Sequence, residues 1–233
     1  MTRRNIKFLL LSALCLAACA AQNPPTPPLN GRFSVSEEVQ VLFSPGNLYT
    51  VRNTGSVAFA GSQYAIYGMT VLTDTTDWFL WDKVRPYATK PLDGVWRIMS
   101  DSEWNYLLFK RPGAEDLMGQ ATVCDVCGLI VLPDEWECPD NITWQGLPYD
   151  YTSNLYSETE WVALENSGAV FLPAAGRQTD AGIEDVNRQG WYWAATNTGT
   201  QLNKCICFGE EHVIAIPASP SVEIAVRMVQ NVP

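Results

Sequence analysis

Histidine is almost missing from this chain of 233 residues: His212 stands alone. A catalytic triad needs an imidazole beside its nucleophile, and no serine or cysteine here sits in a recognisable nucleophile motif, so triad hydrolysis is set aside. Basic residues are also scarce. There are 15 Lys and Arg against 25 Asp and Glu, a net charge of −10. A surface of that sign repels phosphate backbones, which argues against nucleic acid as a partner and against an electrostatic hold on anionic lipid. Charged residues make up only 17%, whereas Trp and Tyr number nine each; a disordered chain shows the opposite balance. Outside residues 8–16 no apolar run approaches the length of a membrane-crossing helix. Pairs such as Glu135 with Glu137, or Glu210 with Glu211, read as surface charge rather than as a general acid and base.

What is present starts with an export signal. Arg3, Arg4 and Lys7 form a basic leader, and Phe8 to Leu16 is an apolar core too short to span a bilayer. Leu16-Ala-Ala-Cys19 resembles the lipobox of bacterial lipoproteins, which implies a signal peptide over 1–18 and a lipid on the Cys19 thiol. Cys15 is the poorer acceptor because bulky Leu14 precedes it. Loss of the leader removes three cations and takes the charge from −10 to −13. Ala20 replaces the aspartate that retains some lipoproteins at the inner membrane, so the expected place is the outer membrane, facing either the periplasm or the surface. Residues 19–30, with Pro24, Pro25, Pro27 and Pro28, read as an extended tether of roughly 30 Å at about 3.1 Å per residue. Residues 31–233 remain, enough for one domain with one sizeable core.

That domain opens with period-two apolar patterning. Phe33 and Val35, then Val39, Val41 and Phe43, then Tyr49 and Val51, and finally Val57 to Ala60 predict an antiparallel β-meander, with Pro45-Gly46 as a type II turn. Trp78 to Trp81 is an aromatic plug, and Lys83 to Gly94, with two prolines, predicts irregular chain. Ser100 and Glu103 form a capping box before Trp104, Leu107 and Leu108, and Ser157 and Glu160 repeat it before Trp161 and Leu164. Each helix is followed by a buried-strand phrase that proline ends: Gly128-Leu-Ile-Val-Leu-Pro133 and Gly168-Ala-Val-Phe-Leu-Pro173. Asp134 to Asn154 and Arg177 to Gly190 predict two long polar loops. Trp191 to Ala194, Lys204 to Phe208, Val213 to Ile216 and Val222 to Val229 predict four closing strands, mostly antiparallel. The fold class is α+β: a mixed, mostly antiparallel sheet, two helices and long loops behind an N-terminal meander.

Taken together, FSVSEEVQVLFSPGNLY, SDSEWNYLL, GLIVLPDEW, YSETEWVALENSGAVFLPAAG, GWYWAATN and AVRMVQ resemble the major-paralogous-domain lipoproteins, the FISUMP-type family, over roughly residues 31 to 230. The resemblance implies a C-type-lectin-like fold related to that of the formylglycine-generating enzymes. It implies little about activity. Two places depart from the family pattern: Cys124-Asp-Val-Cys127 before the first buried strand, and Cys205-Ile-Cys207 after the Trp-Tyr-Trp strand.

Calcium-dependent lectins carry Glu-Pro-Asn or Gln-Pro-Asp and Trp-Asn-Asp, and this chain has neither; Trp193 to Asn197 lacks the acid. Asp180, Glu184, Asp185 and Asn187 can supply oxygens for a hard cation, but a solvated acidic loop is the better reading. Cys205 and Cys207, two apart on a strand, share a face where thiols can bind a soft metal or serve as redox groups, with buried thiols or a structural disulfide the better reading. Cys124 and Cys127 bracket a turn and suit a disulfide in an oxidising envelope; with Cys205 and Cys207 they also make a zinc-type donor set. Cys138 leaves an odd count of five. Trp136 and Trp144, on a long loop, are the aromatics best placed to meet a glycan. The expectation is a membrane-anchored envelope module that binds a glycan or protein ligand without cofactor or catalysis. The alternatives are a cysteine-based enzyme of the formylglycine-generating type and a structural subunit of a surface assembly.

Overall fold

A computed structural model describes residues 26–68, 74–147, 150–195 and 203–232. Cys19, the start of the tether and Asn197 lie outside the described residues. In chain order come β1 (Phe33–Ser34), β2 (Gln40–Phe43), β3 (Leu48–Val51), β4 (Ser56–Phe59), β5 (Thr75–Thr76) and the single turn α1 (Trp81–Val84). A 3-10 turn (Arg85–Ala88), β6 (Arg97–Ile98), α2 (Asp101–Phe109), β7 (Met118–Val123), β8 (Val126–Val131), β9 (Leu155–Tyr156) and α3 (Glu158–Asn166) follow. The chain closes with β10 (Val170–Pro173), β11 (Arg177–Thr179), β12 (Gly182–Glu184), β13 (Gln189–Ala194), β14 (Asn203–Gly209), β15 (His212–Ala218) and β16 (Met228–Asn231). The class is α+β. Among the described residues every ladder is antiparallel except β7 with β9.

Both capping boxes form. Ser100 Oγ accepts from the Glu103 amide at 3.2 Å while the Glu103 carboxylate accepts from the Ser100 amide at 2.7 Å. Ser157 and Glu160 make the same exchange at 3.5 and 2.8 Å. Helix α3 leaves through Gly168 at φ 95°, with Ala169 N–H bonded to Leu164 O and Gly168 N–H to Glu165 O. Those two bonds are the Schellman pattern, which closes the last carbonyls and needs a residue at ease with positive φ.

The two proline-ended phrases are neighbours in one sheet of order β10-β8-β7-β9. Val170, Phe171 and Leu172 pair with Val131, Ile130 and Leu129, and Pro173 faces Gly128. A Cβ at Gly128 would fall 2.3 Å from the Phe171 ring and 2.5 Å from Leu172 O, so only glycine fits there. Alternate residues of this pair feed two different cores. Leu129, Val131, Val170 and Leu172 join Trp104, Leu107 and Leu108 of α2. Ile130, Leu132 and Phe171 join Trp161 and Leu164 of α3. One helix therefore covers each face, and that is why the strands are apolar throughout rather than alternating. A third cluster gathers Phe79, Trp81, Trp96, Trp193 and Met228.

Five expectations change. The N-terminal meander is divided between two sheets: β1 and β2 join β16 and β6, while β3, β4 and β5 form another. The corner at Pro45-Gly46 is open because the C-terminal segment occupies it; Ser44 N–H bonds Met228 O and Leu48 N–H bonds Val226 O, both at 2.9 Å. Gly46 has no positive φ there, and glycine serves close packing instead, since a Cβ would meet Ala60 O at 2.5 Å. The stretch expected to be irregular after Trp81 holds α1 and the 3-10 turn, and the loop after Arg177 holds the β11–β12 hairpin. The fourth closing strand breaks up. Ile224 and Ala225 make single bridges to Phe79 and Tyr192, and only Met228–Asn231 enters a ladder.

Candidate ligand cleft

The element that organises the surface is β11. One edge pairs with β12, and on the other edge Gln178 makes a single bridge to Glu223, with N–H to O bonds of 2.9 Å in each direction. Side chains alternate along an extended segment. Arg177, Thr179 and Val222 therefore line one cleft of about 550 Å³, and Gln178 and Glu223 line a second of about 480 Å³. Both volumes lie in the range of small-molecule sites, roughly 300–1,000 Å³.

The Gln178–Glu223 cleft has the richer chemistry. Its floor is the aromatic run, Trp78 and Phe79, followed by Leu80, with Val57 and Tyr87 beside them. Arg52 from the end of the β3–β4 hairpin and Lys83 from α1 stand exposed at its rim. Burial raises the Glu223 carboxyl above the usual carboxylate range, and the nearby Arg52 guanidinium partly opposes that. The Gln178 Oε1 atom is buried without a hydrogen-bond partner, a state that folded proteins seldom tolerate. The arrangement offers two cations, one carboxyl and an amide side chain above an apolar floor.

The neighbouring cleft is occupied by its own ion pairs. Arg177 reaches Glu184 at 3.1 Å and Asp185 at 3.6 Å, and its guanidinium lies 4.6 Å over the Trp191 ring. Glu184 and Asp185 thus have a cation between them, while Asp180 stands exposed at the hairpin tip. Asn187 turns away, its Oδ1 accepting from Cys127 N–H at 2.6 Å. Among the described residues no three His, Cys, Asp or Glu side chains are placed to share a metal ion.

Trp136 and Trp144 lie together, edge to face at 6.0 Å, and both are half-buried. Their indole N–H groups are committed: Trp136 donates to Ser167 Oγ and Trp144 to Asp116 O, each at 2.8 Å. They pin the long loop against α3 and the chain before β7.

The thiols are separate groups. Val123 pairs with Val126, so the turn is Cys124-Asp125, both at positive φ of 50° and 65°, and the cysteines do not bracket it. Both are free; burial raises the pKa of the Cys124 thiol, with the nearby Tyr64 hydroxyl opposing it, and raises that of Cys127, which lies 3.7 Å from Thr122 Oγ1. Cys205 and Cys207 are also free and buried. Desolvation pushes each up to about 12, so neither is a thiolate at neutral pH. Cys207 Sγ lies 3.6 Å from His212 Nε2.

Arg52, Lys83, Gln178 and Glu223 carried no signal in the sequence. They are single polar residues on four segments; the Gln178–Glu223 bridge joins two of them, and the Phe79–Ile224 bridge brings the chain leading to Lys83 alongside. The chain matches no protein-family model, no curated protein and no solved structure.

Proposed function

We propose that this chain is a lipid-anchored bacterial envelope module that binds a ligand and does not transform it, a major-paralogous-domain lipoprotein with a C-type-lectin-like fold. The observation that carries the reading is the Gln178–Glu223 cleft, an apolar-floored recess with converging charged and amide groups. The thiols support the same reading, since buried groups held up to about 12 make poor nucleophiles. The lipobox at Cys19 and the proline-rich tether supply the anchor, with the outer membrane as the favoured place. Trp136, Trp144 and Asp180 are no longer the first candidates for contact with the ligand; Arg52, Lys83, Gln178 and Glu223 are.

Protease shaving of intact cells tests the placement. Loss of the folded chain from unpermeabilised cells supports surface adhesion; protection there, with digestion after the outer membrane is opened, directs the search to periplasmic ligands. A chain recovered in the cytoplasm with its leader uncleaved sinks the proposal.

A further inference from the structure

We propose that the Gln178–Glu223 cleft takes a carboxylate-bearing sugar unit of an acidic glycan, its carboxylate held between Arg52 and Lys83. This rests on the reading of the chain as a binding module. Four observations point to this ligand class.

Charge comes first. The whole chain carries −10, yet the rim of this cleft presents two cations against one carboxyl, Glu223. An electropositive recess on an acidic protein draws anions locally. Arg52 faces Glu223 closely enough to oppose the effect of burial on it, and Lys83 has no ion-pair partner among the described residues. The surplus is one positive charge, which matches a carboxylate better than a doubly charged phosphate.

Next is the polar wall. The Gln178 amide and the Thr50 and Tyr87 hydroxyls line the cleft and can exchange hydrogen bonds with the hydroxyls of a sugar acid. A fatty acid carries its carboxylate on an acyl chain that offers these groups no partner.

The third is the floor. Phe79, Leu80 and Val57 give the apolar contact that the C–H faces of a sugar ring make, while Thr50 and Tyr87 add hydroxyl oxygens on the walls. The last is access. Arg52 and Lys83 are exposed side chains on a hairpin end and a single helical turn, so their replacement leaves every core cluster intact.

The experiment is an NMR titration of the full-length chain in detergent with D-glucuronate, D-glucose, hexanoate and neutral chitobiose in its N,N′-diacetyl form. Saturable shifts with glucuronate are expected, with glucose and hexanoate at least tenfold weaker. Arg52→Ala combined with Lys83→Ala should weaken glucuronate at least tenfold and leave the melting temperature within about 1 °C of the parent, as expected for exposed sites. No saturation with glucuronate, or equal affinity in the double variant, overturns the assignment. Hexanoate equal to glucuronate overturns the sugar part. Saturable binding of chitobiose in place of glucuronate overturns the acidic ligand and leaves the binding module standing. Turnover of any of the three sugars, lost when Cys205 and Cys207 are both Ser, overturns the module reading itself.

Discussion

Gln63 is the side chain whose loss should be felt farthest from its own position. It comes from a loop, is fully buried, and uses its whole amide: Nε2 donates to Glu165 Oε1 at 2.9 Å and to Ala169 O at 3.2 Å. Its Oε1 accepts from Phe171 N–H at 2.9 Å and from Arg227 Nη2 at 2.6 Å. Arg227 is 1% exposed, and its Nε and Nη1 have no partner among the described residues. Gln63 is thus the link through which the buried guanidinium reaches the Glu165 carboxylate. Leucine in place of Gln63 keeps the approximate volume and removes all four bonds. A buried donor stripped of its partner costs about 1–3 kcal/mol, and a buried charge left without one about 3–5 kcal/mol. Because the charge dominates and the terms overlap, the expected loss is about 4 kcal/mol. For a domain of this size that is a drop of roughly 8–16 °C in melting temperature, read by circular dichroism or calorimetry. The double variant Gln63→Leu with Arg227→Met removes the charge along with its partner and should regain more than half of the loss. A drop under about 2 °C for Gln63→Leu, or a double variant no more stable than the single one, refutes the reasoning.

Three further outcomes are expected. Asp77, buried with Oδ1 unpartnered, has its carboxyl pushed up to about 7 by desolvation against a single opposing bond from Tyr67 N–H. The native state therefore holds a proton that the unfolded chain releases near pH 4, so Asp77 subtracts stability as pH rises from about 4 to about 7; urea unfolding of Asp77→Asn should show a shallower fall over that window, and an unchanged slope would count against the assignment. Ser157→Ala breaks the capping box of α3 and should cost about 1 kcal/mol, with the parallel change Ser100→Ala similar for α2; no shift in urea midpoint for either would mean the boxes are dispensable. Thiol titration of the native protein should label exposed Cys138 within minutes while Cys205 and Cys207 react only on unfolding, and rapid native labelling of the Cys205–Cys207 pair would reopen the cysteine-enzyme alternative.

The parts of the fold that were legible were those written in short spans. A capping box covers four residues, and both helices begin where Ser100 and Ser157 say they should. Continuous apolar runs ended by proline announced strands covered on both faces, and β8 and β10 are such strands. The meander was misread at Pro45-Gly46, whose turn signal is real but yields an open corner. The partners of Ser44 and Leu48 are Met228 and Val226, 184 and 178 residues away, and no local pattern encodes a strand arriving from the other end of the chain. The site was hidden for the same reason. Arg52, Lys83, Gln178 and Glu223 are unremarkable where they stand in the chain, whereas the conspicuous Trp136 and Trp144 spend their indoles on loop packing.

By itself, then, the amino-acid sequence determined the helix starts, the buried strands, the α+β class and the acidic balance of charge, because each depends on residues that are close along the chain or simply summed. Tertiary structure alone decided which strands are neighbours, how one pair of apolar strands serves two cores, and where a cleft opens. Those depend on segments far apart in sequence competing for the same hydrogen bonds and the same volume, as when Glu223 takes the free edge of β11 and sets Gln178 facing one cleft and Arg177 the other.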